Sequence, residues 1–147
     1  MPPEQTVRDV MSALEAYDVQ KAGSYLSDDF VVTGLAPQPL SKDAWLKTQS
    51  DLLKAMSQWK FHLRDVHTQG VTFTAQVHNT GVHTGVLALP IPGLAPIEPT
   101  GVHLTTPENQ VQYTVRDGKI TNIHMTPVPG GIMMATLKQL GVTFPPA

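Results

Sequence analysis

The chain has 147 residues, 41% of them hydrophobic and 15% charged, with a formal net charge of −2. This composition excludes a disordered or strongly nucleic-acid-binding chain, and the absence of cysteine excludes disulfides, thiolate nucleophiles and cysteine-based zinc sites. No apolar stretch approaches the roughly 20 residues that cross a bilayer, and the N-terminus lacks the pattern of a signal peptide. We therefore expect one domain, residues 1–147, in the cytoplasm, with neither a nucleic acid nor a membrane as partner.

Three helices are predicted in the first part of the chain. Apolar residues recur every three or four positions over residues 4–17, which indicates an amphipathic helix. Asp18 is suited to cap a short second helix over residues 19–26. Ser41 precedes a third helix, and the apolar spacing extends that helix to about Trp59.

Strands follow these helices. A short strand is predicted over residues 30–33, before the third helix, and another begins at residues 61–66. Residues 71–82 alternate between apolar and polar side chains, with the apolar set facing the core. Thr68-Gln69-Gly70 is the predicted turn between the second and third of these strands.

The second half of the chain predicts two more strands after an apolar, proline-rich loop. A strand over residues 102–116 contains Pro107, which predicts a bulge or an edge position there. Asp117-Gly118 indicates a tight hairpin turn, residues 119–126 a last strand, and residues 132–140 a final helix. The order of elements predicts an α+β fold.

Two histidines are candidate catalytic residues. Strict alternation places Ile120, Asn122 and His124 on one face of the last strand, and the family resemblance given below implies that this face lines a pocket, where His124 would carry a proton near neutral pH. The alternative is a hydrogen-bonded histidine of the pocket wall. His83 alternates with Asn79 toward the inside; it would either orient a substrate oxygen or hold the rim together by hydrogen bonds.

Further residues are predicted to bind substrate or to form the pocket wall. Trp45 and Tyr113 would supply aromatic walls, and Asn79, Asn109 and Asn122 would supply polar contacts. Alternation places Glu108 on the outer face, although a bulge at Pro107 would reverse its side. The histidine spacings match no metal motif, so no metal is expected.

Six segments together resemble the SnoaL-like polyketide cyclase and ester cyclase family of the NTF2-like superfamily. The resemblance extends over about residues 7–142, in the order Ala13-Leu14-Glu15-Ala16-Tyr17-Asp18, Leu26-Ser27-Asp28-Asp29-Phe30, Gly81-Val82-His83-Thr84-Gly85, Pro99-Thr100-Gly101, Asp117-Gly118-Lys119-Ile120 and Gln139-Leu140-Gly141.

This resemblance implies a cone, in which a curved antiparallel sheet wraps three N-terminal helices and a short C-terminal helix follows. It also implies a homodimer formed through the outer face of the sheet, and chemistry without a metal or cofactor. SnoaL-like cyclases use an aspartate just beyond the last strand, and here that position is Val128, so their acid/base residue is missing. Val10 and Thr33-Gly34 likewise replace the acid/base residues of ketosteroid isomerase.

Two hypotheses follow for the function. In the first, the protein is a cofactor-independent cyclase, isomerase or hydrolase of a small apolar carbonyl compound, with His124 as acid/base and His83 with Asn79 or Asn109 on the oxygen. In the second, it is a noncatalytic dimer whose cone holds a small hydrophobic ligand.

Overall fold

Four helices and seven strands form the part of the chain that the computed structural model describes, which is residues 3–34, 38–88, 95–126 and 132–141. In chain order they are α1 (Pro3–Glu15), α2 (Val19–Gly23), β1 (Leu26–Thr33), β2 (Leu40–Ser41), α3 (Lys42–Ala55), β3 (Met56–Gln69), β4 (Thr72–His83), β5 (His103–Thr105), β6 (Asn109–Arg116), β7 (Lys119–Met125) and α4 (Ile132–Gln139).

The strands form one curved, mainly antiparallel sheet in the order β2-β1-β7-β6-β4-β3, and β5 pairs with β4. Strand β1 runs parallel to β7, which the sequence did not predict. Irregular pairing occurs twice within β3, once between β6 and β7 and once between β1 and β7. Such bulges increase the local twist and bend the strands. The predicted α+β cone is confirmed.

Helix α1 packs its apolar stripe against the concave face of the sheet. Its buried residues recur at helical spacing and are Thr6, Val7, Val10, Met11, Ala13 and Leu14. All of them except Thr6 join one hydrophobic cluster with the inward side chains of the central strands, including Phe73, Val111 and Ile120. Burial of this stripe holds the helix on the sheet, as the sequence pattern predicts.

Helix α3 begins where it was predicted and ends earlier. The Ser41 side chain accepts a hydrogen bond from the Ala44 amide, as an N-cap does. The helix ends at Ala55, and Met56 is already extended, so the prediction of helix up to Trp59 is wrong. The reason is tertiary: the Tyr17 hydroxyl donates to the Met56 carbonyl (2.7 Å) and accepts from the Trp59 amide (3.2 Å).

The predicted strand over residues 102–116 is two strands, β5 and β6, separated at residues 106–108. Pro107 lacks an amide hydrogen and interrupts the ladder at this point. Thr106 keeps the two pieces in place through the backbone of Asn79. The Thr106 amide donates to the Asn79 backbone carbonyl, and the Thr106 hydroxyl accepts from the Asn79 backbone amide. Within the described ranges, no helix has the length and apolarity needed to cross a membrane.

Candidate functional site

A cavity of about 140 Å³ lies between the concave face of the sheet and helices α1 and α3. This volume is close to the roughly 150 Å³ of an engineered cavity that binds benzene. The described residues that line it are Val7, Val10, Met11, Leu14, Trp45, Thr48, Gln49, Leu52, Trp59, Phe61, Val77, Asn79, Leu104, Thr106, Val111, Tyr113, Ile120, Ile123, Met125 and Thr136.

The described part of the lining is uncharged. Most of it is aliphatic or aromatic, and its polar members are threonine, glutamine, asparagine, tryptophan and tyrosine. No aspartate, glutamate, histidine, lysine or arginine belongs to the lining within the described ranges. The cavity therefore suits a molecule without a formal charge, since an unpaired charge is costly to bury.

Both tryptophans of the chain line the cavity. Trp45 was predicted as a pocket residue, and its ring also packs against Phe30 with centroids 5.3 Å apart. Trp59 was expected to be ordinary core. It is 3% exposed, and its buried Nε1 has no hydrogen-bond partner among the described residues.

The position of Trp59 depends on a small residue across the ladder. A Cβ atom at Gly81 would lie only 2.7 Å from Cε3 of the Trp59 ring. Gly81 therefore leaves the space that the indole occupies, while the Tyr17 hydroxyl holds the Trp59 backbone from the other side. Tyr17 and Gly81, which belong to two of the six segments quoted in the sequence analysis, therefore both determine where Trp59 lies.

Tyr113 lines the cavity, as predicted, and faces inward from the middle of β6. It lies opposite Phe73 on β4, with ring centroids 5.8 Å apart, and opposite Ile123 on β7. Burial raises the pKa of its phenol well above the ordinary value of 10. The hydroxyl is therefore protonated at neutral pH and available as a hydrogen-bond donor.

The prediction that His124 and Asn122 face the pocket is wrong. Asn122 is paired with Thr114 and Ile120 with Val115, which leaves Thr121 as an extra residue in β7. One extra residue reverses the face of every side chain after it. Ile120, Ile123 and Met125 consequently line the cavity, and Asn122 and His124 belong to the outer face.

His124 is exposed, and its Nδ1 lies 2.7 Å from the Thr33 hydroxyl. Its side chain borders a polar hollow on the outer face of the sheet. The Asn122 amide donates to the Val31 carbonyl over 3.4 Å, so it links β7 to β1. Neither side chain reaches the cavity, which removes the basis for His124 as its acid/base and for Asn122 as a substrate contact.

His83 points inward, as predicted, and is fully buried beyond the end of the cavity lining. The Thr100 amide donates to its Nδ1 over 3.2 Å, and the Thr100 hydroxyl lies 2.9 Å from the same nitrogen. Burial lowers the pKa of His83, and the nearby Gly85 backbone partly offsets this effect. This geometry matches the alternative in which His83 holds the rim together.

Asn79 and Asn109 have different positions. Asn79 is half-buried and lines the cavity, as predicted. Its side-chain amide donates a hydrogen bond to the Lys60 carbonyl over 3.4 Å. Asn109 is buried outside the lining, and its amide donates to the Thr126 carbonyl. The prediction that Asn109 binds substrate is therefore not supported by its position.

Charged residues gather on the outer face instead. The Arg64 guanidinium donates to the Glu108 carboxylate from both Nε and Nη2, and the hydrogen bonding keeps the pKa of that carboxyl below its usual value. Glu108 lies on the outer face that alternation favoured, 3.8 Å from Nδ1 of His78. Within the described ranges no three histidine or acidic side chains are arranged to hold a metal ion. Val128 lies outside the described residues.

A curved sheet over helices, closing on an apolar cavity, defines an NTF2-like α+β cone. The SnoaL-like domain model matches residues 7–123, which is more than half of the chain. The chain therefore belongs to the SnoaL-like family, and the resemblance drawn from its sequence is confirmed.

Solved structures share this fold at low sequence identity. AclR from Streptomyces galilaeus, a hydroxylase candidate, is 17% identical with a TM-score of 0.74, and the match covers 95% of each chain. IdmH from Streptomyces antibioticus, a polyketide cyclase candidate, is 19% identical with a TM-score of 0.69, covering 95% of this chain and 99% of its own. An LEH-like epoxide hydrolase of M. tuberculosis is 12% identical with a TM-score of 0.65, covering 93% and 90%. No curated protein sequence matches the chain.

Proposed function

We propose that this SnoaL-like protein binds a small, uncharged and mainly apolar molecule inside its cone, without acid/base catalysis by a side chain of the cavity. The observation that carries this proposal is the uncharged lining of the cavity. General acid/base catalysis needs a group that exchanges protons near the working pH. Tyr113 is the one ionisable residue in the described lining, and burial raises its pKa further from that range.

The sequence supports the same conclusion for the rest of the chain. Residues 1–2, 35–37, 89–94, 127–131 and 142–147 contain no aspartate, glutamate, histidine, lysine, arginine or tyrosine. These segments therefore supply no titrating side chain to the cavity, wherever they lie. An epoxide, the substrate class in the name of one structural neighbour, is an uncharged compound of this kind.

Binding can be followed with the protein's own fluorescence, because both of its tryptophans line the cavity. We expect acetophenone, an uncharged ring ketone, to change this fluorescence saturably. Benzoate has nearly the same shape but carries a charge, and we expect it to bind at least about tenfold more weakly, because no cation faces it in the described lining. Equal affinity for the two compounds, or no binding of acetophenone, would contradict the proposal.

Two variants of adjacent residues give a matched control. Val111→Phe adds a ring to the cavity lining, and Gln112→Phe adds the same ring on the opposite face of β6. We expect the first to abolish acetophenone binding and the second to leave it within about twofold of the unaltered protein. Thermal melts of both variants establish that each is folded.

We also propose that two copies associate through the outer face of the sheet, as the resemblance implies. Polar side chains of β4 and β6 alternate onto this face: Thr72, Thr74, Gln76, Gln110, Gln112 and Thr114. Polar, hydrated interfaces of this kind are common in protein complexes. The cytoplasmic location stays a prediction.

A further inference from the structure

The hydroxyl of Tyr113 has no partner in the part of the chain that the structure describes. The side chain is 7% exposed and lines the cavity, and none of the hydrogen bonds formed by the described residues includes its oxygen. The neighbouring Phe73 has the same ring without a hydroxyl. Packing alone would therefore be served by phenylalanine at position 113.

A buried hydroxyl without a partner is unfavourable, since it has lost its hydrogen bonds to water. Such a group contributes little to the stability of the fold, but it becomes favourable when a bound molecule supplies the missing acceptor. This difference is the basis on which polar groups in apolar pockets select their ligands.

We propose that the Tyr113 hydroxyl donates a hydrogen bond to an oxygen of the bound molecule, and so selects ketones, ethers or epoxides over hydrocarbons of the same shape. Tyr113 is then the specificity-determining residue of the cavity. This inference rests on the proposed function, because it names the class of ligand for the same site.

Two other hydroxyls of the described lining already take part in hydrogen bonds. The Thr48 hydroxyl donates to the Ala44 carbonyl within α3, and the Thr106 hydroxyl accepts from the Asn79 amide. The Trp59 Nε1 is buried below the cavity surface. Tyr113 combines a free hydroxyl with a place on the cavity wall, at the centre of the sheet.

The test compares two ligands and two variants. Acetophenone and ethylbenzene are similar in shape, but only the ketone has a hydrogen-bond acceptor. Tyr113→Phe removes the hydroxyl from the cavity, and Tyr25→Phe removes a half-buried hydroxyl from outside the lining. We expect Tyr113→Phe to weaken acetophenone by about threefold to tenfold, the range of one net hydrogen bond. Ethylbenzene should bind this variant as well as, or better than, the unaltered protein, and Tyr25→Phe should change neither affinity.

A second measurement reports the hydrogen bond directly in the unaltered protein. A hydrogen bond lowers the stretching frequency of a carbonyl, so infrared difference spectra of carbonyl-labelled acetophenone should show a lower frequency when it is bound than in hexane. The frequency should return toward the hexane value in Tyr113→Phe. If the variant does not fold, a bound carbonyl at its hexane frequency in the unaltered protein still overturns the inference.

The outcomes separate the two proposals. Tight binding of both ligands with no difference between the unaltered protein and Tyr113→Phe, or a bound carbonyl at its hexane frequency, overturns the role of Tyr113 and leaves the proposed function intact. Failure of both ligands to bind the unaltered protein overturns the proposed function and this inference with it.

Discussion

His83 is the buried titratable group whose neutral form the fold requires. The Thr100 amide donates to Nδ1, so the neutral ring carries its proton on Nε2. Burial lowers the pKa, so the folded protein takes up a proton at lower pH than the unfolded chain does. The free energy of unfolding contributed by His83 is therefore complete above about pH 6.5, the ordinary histidine pKa, and decreases as the pH falls below it.

Urea unfolding at pH 7.5 and pH 5.5, roughly one unit either side of the ordinary histidine pKa, measures this contribution. We expect His83→Asn, which keeps an acceptor near the place of Nδ1, to lose less stability between the two pH values than the unaltered protein. His103→Asn, at an exposed position, should keep the original difference. If His83→Asn shows the unaltered pH dependence, the histidine does not have the linkage that its burial implies.

At the scale of elements, strands β3 and β4 depend on each other through Trp59 and Gly81. Alanine at position 81 would place its Cβ 2.7 Å from the indole, and the ring has little freedom to retreat because Tyr17 holds the Trp59 amide. We expect Gly81→Ala to lower the free energy of unfolding by about 1–3 kcal/mol, as overpacked cores do.

A double-mutant cycle tests the cause of that loss. Phenylalanine at position 59 lacks the second ring, so Gly81→Ala should cost less in the Trp59→Phe background than in the unaltered protein. Urea denaturation of the four proteins gives the coupling energy. Additive effects would show that the substitution acts elsewhere, for example on the backbone of β4.

The regularity of each strand decided whether its side-chain facing could be predicted from the sequence. Alternation correctly oriented β4 and β6, because the ladder between them, from Thr72 opposite Thr114 to Val77 opposite Asn109, has no slip. It failed in β7, where Thr121 is an extra residue and the register shifts. The apolar spacing of Ile120, Ile123 and Met125 contained this signal, since three positions followed by two does not fit a regular strand.

Other features of the site were beyond local patterns. The helical spacing of α3 continues through Met56 and Trp59, and only the contacts with Tyr17, 39 and 42 positions away, show that the chain has become a strand. The cavity itself depends on how the side chains of five strands and three helices pack around it. No single segment of sequence encodes that balance, so Trp59 and Thr106 were not recognised as lining residues.

At the scale of the whole molecule, the two faces of the sheet differ in chemistry. The inner face encloses the cavity, and the outer face presents paired polar side chains, with Thr74 opposite Gln112 near the middle of the ladder. In a two-fold dimer, a residue near the axis faces its own copy. A charge introduced at the centre of the proposed dimer contact would therefore meet a like charge.

The substitution Gln112→Arg introduces such a charge. We expect the unaltered protein to be a dimer by size-exclusion chromatography with light scattering, and Gln112→Arg to weaken the dimer at least about tenfold, because two guanidinium groups without partners would be partly desolvated. Gln20→Arg makes the same change at an exposed position of α2 and should remain dimeric. A monomeric unaltered protein at high concentration, or an unchanged Gln112→Arg dimer, would rule out this face.

Acetophenone affinity should be equal in all three proteins, because the described lining of the cavity comes from one chain and from the opposite side of the sheet.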